Sequence, residues 1–120
     1  MRALGIDTSN YTTSAAVFDG VGGLQAGELL RVEAGRLGLR QSDALFQHVK
    51  GLPGRFEQLR REGWLEEIAV VGASTRPRAV EGSYMPCFLA GESQGRVLAQ
   101  TLGVPFVPVS HQQGHIAAAA

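Results

Sequence analysis

The chain is short of cysteine, of net charge and of long apolar runs, and each shortage excludes something. Of its 120 residues, Cys87 is the only cysteine. No disulfide can form within the chain, and an oxidising compartment is not indicated. The 11 basic and 11 acidic residues cancel, so no overall field draws the chain to nucleic acid or membrane. No apolar run approaches the roughly 18 residues that span a bilayer. A strand-like segment begins almost at Met1, where a leader would need a basic stretch and then an apolar one. The expectation is a soluble cytoplasmic protein with no membrane partner. At this length it is a single domain or part of one, able to bury about two thirds of its unfolded surface.

What is plentiful is glycine, 16 residues. They are scattered through apparent elements and turns, which points to close packing rather than low complexity. Ala3 to Asp7 reads as a buried strand, Thr8 to Thr12 as a turn and Thr13 to Phe18 as a second strand. Asp19-Gly20 and Gly22-Gly23 turn again. Leu24 to Ala34 reads as a third strand, with Leu24, Leu29 and Val32 in the core. Helical periodicity follows. Ser42 can cap a helix with Leu45, Phe46 and Val49 on one face. Gly51 and Pro53 interrupt it, and a second helical piece with Phe56 and Leu59 stops at Gly63. Arg55, Arg60, Arg61 and Glu62 read as a solvated face or a basic patch for tRNA or a partner.

Ile68 to Ala73 is a continuous apolar run suited to a central parallel strand. The loop after it carries Arg76 and Arg78. Loops at the carboxyl ends of such strands line ligand crevices, so these arginines are candidate anion contacts, with a solvated loop as the alternative. Pro86 suits the first turn of a helix running to Leu102, ended by Gly103. Gly91 and Gly95 on it imply close packing on the sheet.

The last stretch is Val104-Pro-Phe-Val-Pro-Val-Ser-His-Gln-Gln-Gly-His-Ile-Ala-Ala. Val104 to Val109 is a short strand. Ser110 with Gln113 forms a capping box for a helix that places His111 and His115 one turn apart. The helix start favours neutral imidazole, so the pair is a candidate half of a metal site. Two unrelated polar histidines are the other reading. Two ligands are too few for a protein metal site, and Gln112 stands where a zinc protease carries its glutamate. Ile116 and four alanines begin a helix with no stop signal, so the chain is expected to be a fragment.

The order βββαβαβα is α/β. It is the ribonuclease-H-like half of the actin, Hsp70 and sugar-kinase ATPase fold. In that layout the first hairpin approaches bound phosphates, which makes Asp7, Thr8, Ser9, Asn10 and Thr12 a candidate nucleotide or phosphate loop. Leu4-Gly-Ile-Asp-Thr-Ser9, then Thr12-Thr-Ser-Ala-Ala-Val17, resembles the opening of the tRNA threonylcarbamoyladenosine transferases, formerly labelled glycoproteases or O-sialoglycoprotein endopeptidases. Val104 to Ser110 with His111 and His115 resembles that family's Pro-x-x-x-Val-x-His-x-x-x-His. The resemblance covers nearly the whole chain but only the amino-terminal lobe of a typical member.

The resemblance implies transfer of a threonylcarbamoyl group from its adenylate to N6 of adenosine in tRNA. It also implies iron or zinc held by His111, His115 and an aspartate of a second lobe. The adenylate, or ATP, would bind only with that missing lobe, so the fragment is expected to be inactive and to self-associate. Departures from the family pattern point to a divergent paralogue. Asn10-Tyr11 replaces Cys-Asp/Glu, Arg76 to Pro86 replaces a glycine-rich loop, and only His48 remains of a Val-Pro-Glu-Leu-Ala-Ser-Arg-x-x-His stretch. A buried, hydrogen-bonded histidine is its expected role. A non-catalytic docking partner of the same fold is the alternative function. A small-molecule kinase of that fold would have no use for the histidine pair, and nothing supports a protease.

Overall fold

A computed structural model describes residues 1–9, 12–31, 41–76 and 86–110, with Arg76 and Ser110 described by backbone alone. Five strands form a single sheet: β1 (Arg2–Thr8), β2 (Thr12–Phe18), β3 (Gly23–Leu29), β4 (Ile68–Arg76) and β5 (Phe106–Ser110). Their spatial order is β3-β2-β1-β4-β5. The first three strands are an antiparallel meander, and β4 and β5 join it in parallel. Two helices, α1 (Gln41–Arg61) and α2 (Leu89–Leu102), supply the crossovers. This is the expected ribonuclease-H-like α/β architecture. The final helix of the expected order lies outside the described residues.

The β2–β3 turn is set by Asp19, whose carboxylate accepts the N–H groups of Val21 (2.9 Å) and Gly22 (2.8 Å). These bonds hold its pKa below the ordinary carboxylate value, the Gly22 bond most strongly. β3 is shorter than the sequence suggests. Its partner β2 begins at Thr12, which pairs with Leu29, so the ladder ends there. Leu29 is 74% exposed and not in the core. Val32 lies outside the described residues.

α1 is one continuous helix of 21 residues with Pro53 inside it, not two pieces. Ser42 lies within the helix rather than capping it. Pro53 is exposed, so the Val49 carbonyl it leaves without an amide partner can be hydrated. Leu52 and Leu59 bury against the sheet on either side of it. Phe46 and Val49 are exposed rather than core. The buried face is Ala44, His48, Leu52 and Leu59. Those positions fall within one helical stripe.

Both helices end on the same motif. At Gly63 (φ +77°) the N–H bonds Arg60 at 3.0 Å and the next N–H, of Trp64, reaches Leu59 at 3.0 Å. Gly103 (φ +69°) repeats this with Gln100, while Val104 reaches Ala99. A left-handed residue is needed at each, which glycine adopts without strain.

The helices lie on one face of the sheet. Leu4, Ala15, Val17, Ala26 and Val71 pack there with Leu59 and Ala99, and Ile6 and Ala73 pack with Leu52 and Ala90. Gly91 and Gly95 give α2 its close approach. A Cβ at Gly91 would lie 3.1 Å from Ile6 and Thr8, and one at Gly95 2.7 Å from the Phe106 ring. The sheet's other face presents Ala3, Gly5, Phe18 and Gln25, all exposed. β5 is an edge strand, where Pro108 costs no central ladder bond.

Candidate functional site at the carboxyl ends of the central strands

β1 and β4 run parallel, with Ile6 beside Ala73, so their carboxyl ends open at the same edge of the molecule. In such sheets this edge forms the ligand crevice. Asp7 stands at the end of β1, half-buried. The Ser74 hydroxyl, from the end of β4, donates to Asp7 Oδ1 at 2.7 Å. That bond crosses from one parallel strand to the next and orients the carboxylate. Sequence reading missed Ser74. Its signal is a small polar residue directly after the apolar run Ile68 to Ala73, and the structure buries it.

Thr8 is fully buried. Its hydroxyl donates to the Cys87 carbonyl (3.0 Å) and accepts the Gly91 N–H (3.1 Å). The side chain therefore ties the end of β1 to the start of α2. Ser9 and Thr12 are half-buried on either side of the turn between β1 and β2. Asn10 lies outside the described residues.

His48 reaches this turn from α1. Its Nδ1 lies 2.7 Å from Thr13 Oγ1, and its Nε2 meets the Ser9 carbonyl. A carbonyl only accepts, so Nε2 carries the proton. The neutral ring then accepts the Thr13 hydroxyl at Nδ1. Burial is the main influence on this imidazole and pushes its pKa below 6.5, against the opposing pull of the Ser9 carbonyl and Asp7. The expected buried, hydrogen-bonded role of His48 is what the structure shows. Gly51, one turn on, brings α1 close to Thr13, with 3.4 Å from its Cβ position to Thr13 Oγ1. Cys87 is buried beneath the site, and burial raises its thiol to about 11.

Arg76 is the last residue of β4, paired in register with Ser110 of β5. Arg78, His111 and His115 lie outside the described residues. The site thus brings together Asp7, Ser9 and Thr12 of the predicted loop, with Ser74, Thr13 and His48 as supports.

No protein-family model matches the chain. Among solved structures that share its fold are two of the same kind. YeaZ from Pseudomonas aeruginosa superposes with a TM-score of 0.64 at 20% identity, over 91% of this chain and 42% of its own. A protein described as similar to peptidase YeaZ from Pseudomonas aeruginosa gives 0.62 at 22% identity, over 91% and 43%. The chain therefore spans less than half the length of these proteins. Among the described residues, no helix is long and apolar enough to cross a membrane. The likeness establishes the fold, a ribonuclease-H-like sheet in the arrangement seen in YeaZ.

Proposed function

We propose that the chain is the amino-terminal lobe of a metal-dependent transferase that moves a threonylcarbamoyl group from its adenylate to N6 of adenosine in tRNA. One observation carries this reading. The two halves of the motif that resembles the transferase family, Leu4–Ser9 and Thr12–Val17, are neighbouring strands in register, Leu4 with Val17 and Asp7 with Ser14. They form the central hairpin, whose turn stands at the carboxyl edge of the sheet.

In this reading the turn, with Asp7 and Ser9, faces the phosphate of the adenylate, and Arg76 and Arg78 add positive charge beside it. Ser74 fixes the rotamer of Asp7. His111 and His115 follow β5 in sequence and supply two ligands to iron or zinc, with a carboxylate from a second lobe. When bound, that ion supplies Lewis-acid polarisation and orientation of the acyl donor. The adenylate needs both lobes, so the 120 residues alone are inactive.

The test is a transfer assay. The gene downstream of Ala120 is expected to encode a second lobe with a late aspartate. That longer protein, given the adenylate and unmodified tRNA, should form threonylcarbamoyladenosine, and the 120-residue chain should not. A stop codon at that point, or an inactive longer protein, would contradict the reading.

A second reading is a docking partner of the same fold. Phe46 (62%) and Val49 (55%) on α1 and Val97 (57%) on α2 are exposed apolar residues, a surface such a partner would use. Here F46D with V49D would abolish association with a same-fold protein, and removing His111 and His115 would change nothing.

A further inference from the structure

We propose that His48 is a positioning residue for the β1–β2 turn: its neutral imidazole clasps both sides of the turn and releases it on protonation. The clasp joins three elements. Nε2–H donates to the Ser9 carbonyl after β1, and Nδ1 accepts from Thr13 on β2, while the ring itself belongs to α1. Thr13 pairs with Thr8, the last residue of β1, so the ring spans the mouth of the hairpin. His48 and Thr13 are 0% and 1% exposed, and a Cβ added at Gly51 would already lie 3.4–3.6 Å from the Thr13 side chain. Water has little room to replace a lost bond.

The geometry fits the neutral ring best. A proton added at Nδ1 would face the hydroxyl that now donates to it. Thr13 would have to swing its O–H away and accept instead, leaving that proton without the acceptor it has now. The cation would also sit in a buried site. Asp7 on β1 is the charge whose field reaches the ring and favours the cation. The other titratable groups near the packing are Asp43 and Lys50 on α1 and Cys87 before α2. Farther along lie Glu28 on β3, paired with Arg55, and Glu92 with Arg96 on α2. Desolvation outweighs the opposing pull of the Ser9 carbonyl and Asp7.

Loss of the clasp would free Ser9, a residue of the candidate phosphate loop, and loosen the hairpin beside Thr12. Only that consequence rests on the transferase reading; the clasp is a property of the hairpin. The test therefore reads the turn itself. Imidazole nitrogen and backbone amide spectra of the 120-residue chain are followed from pH 7.5 downward, with His48→Gln identifying the His48 signal. The expected result is a ring protonated at Nε2 and bare at Nδ1, titrating below 6.5. The Ser9 and Thr12 amides should shift in the same step, while the Trp64 indole, at the opposite end of β1, stays still. At pH 7.5, Thr13→Val should move the Ser9 and Thr12 amides toward their acid positions, and Thr13→Ser, which keeps the hydroxyl, should not.

The proposal is overturned by a ring protonated at Nδ1, or by turn amides that ignore the titration. A Trp64 signal that moves in the same step would also overturn it, as would Thr13→Val and Thr13→Ser behaving alike. Failure of the transfer assay would leave all of these readouts in place.

Discussion

Two buried titratable side chains bracket the pH range in which this fold is most stable. The His48 imidazole has a folded pKa below its ordinary 6.5 because it is buried. The unfolded chain therefore takes up the proton first as pH falls. Stability from this group is complete above 6.5 and declines below it, toward the lower folded value. The Cys87 thiol is raised from 9.0 to about 11, again mainly by burial, with the Asp7 charge adding to it. Here the unfolded chain loses its proton first. Stability is complete below 9.0 and declines between 9.0 and about 11. Urea unfolding across pH should show a plateau between these limbs. Cys87→Ala should flatten the alkaline limb while lowering the plateau slightly through the lost packing. An unchanged alkaline limb would show that another group governs it.

At the scale of elements, α1 is the instructive case. A proline inside a helix costs about 3 kcal/mol relative to alanine, yet the helix runs through Pro53 unbroken. Packing of Leu52, Phe56 and Leu59 on the sheet offsets that cost. Pro53→Ala should therefore stabilise the protein by about 1–3 kcal/mol, seen as a higher urea midpoint. No gain would mean that the Val49 carbonyl finds no amide partner even in the variant.

The same helix shows what was legible in the sequence. The strands were, because apolar runs such as Ile68 to Ala73 and the turn at Asp19-Gly20 carry local signals. The glycine stops at Gly63 and Gly103 were too, since they need a left-handed backbone whatever the tertiary context. The stripe on α1 was misread because Phe46 and Val49 look like core yet are exposed, although His48 was expected to be buried. Which face of a helix is buried is decided by the sheet it meets. The Asp7–Ser74 bond was illegible for a related reason. It joins residues 67 apart in sequence, and only the parallel register of β1 with β4 brings them together.

For the molecule as a whole, the uneven cover of the sheet matters most. Both described helices share one face, while Ala3, Gly5 and Phe18 are exposed on the other. Apolar sheet surface of this kind is normally covered by a further layer. The 120-residue chain should therefore self-associate, with a sedimentation coefficient that rises with concentration. A monomer at every concentration would contradict this. In the transferase reading the cover is the second lobe, and Gly5 offers a probe of it. A Cβ there meets nothing within 4 Å among the described residues. Gly5→Val should be tolerated in the 120-residue chain but destabilising wherever a second layer packs close. Equal effects in both settings would mean that Gly5 stays uncovered.

The claim on which the transferase reading turns is that His111 and His115 hold a metal ion. Elemental analysis of the longer protein, purified without chelators, tests it directly. The account predicts roughly one iron or zinc per chain, in keeping with a single site of two imidazoles and a carboxylate, and loss of most of it in both His111→Ala and His115→Ala. Metal content unchanged by either substitution would contradict it.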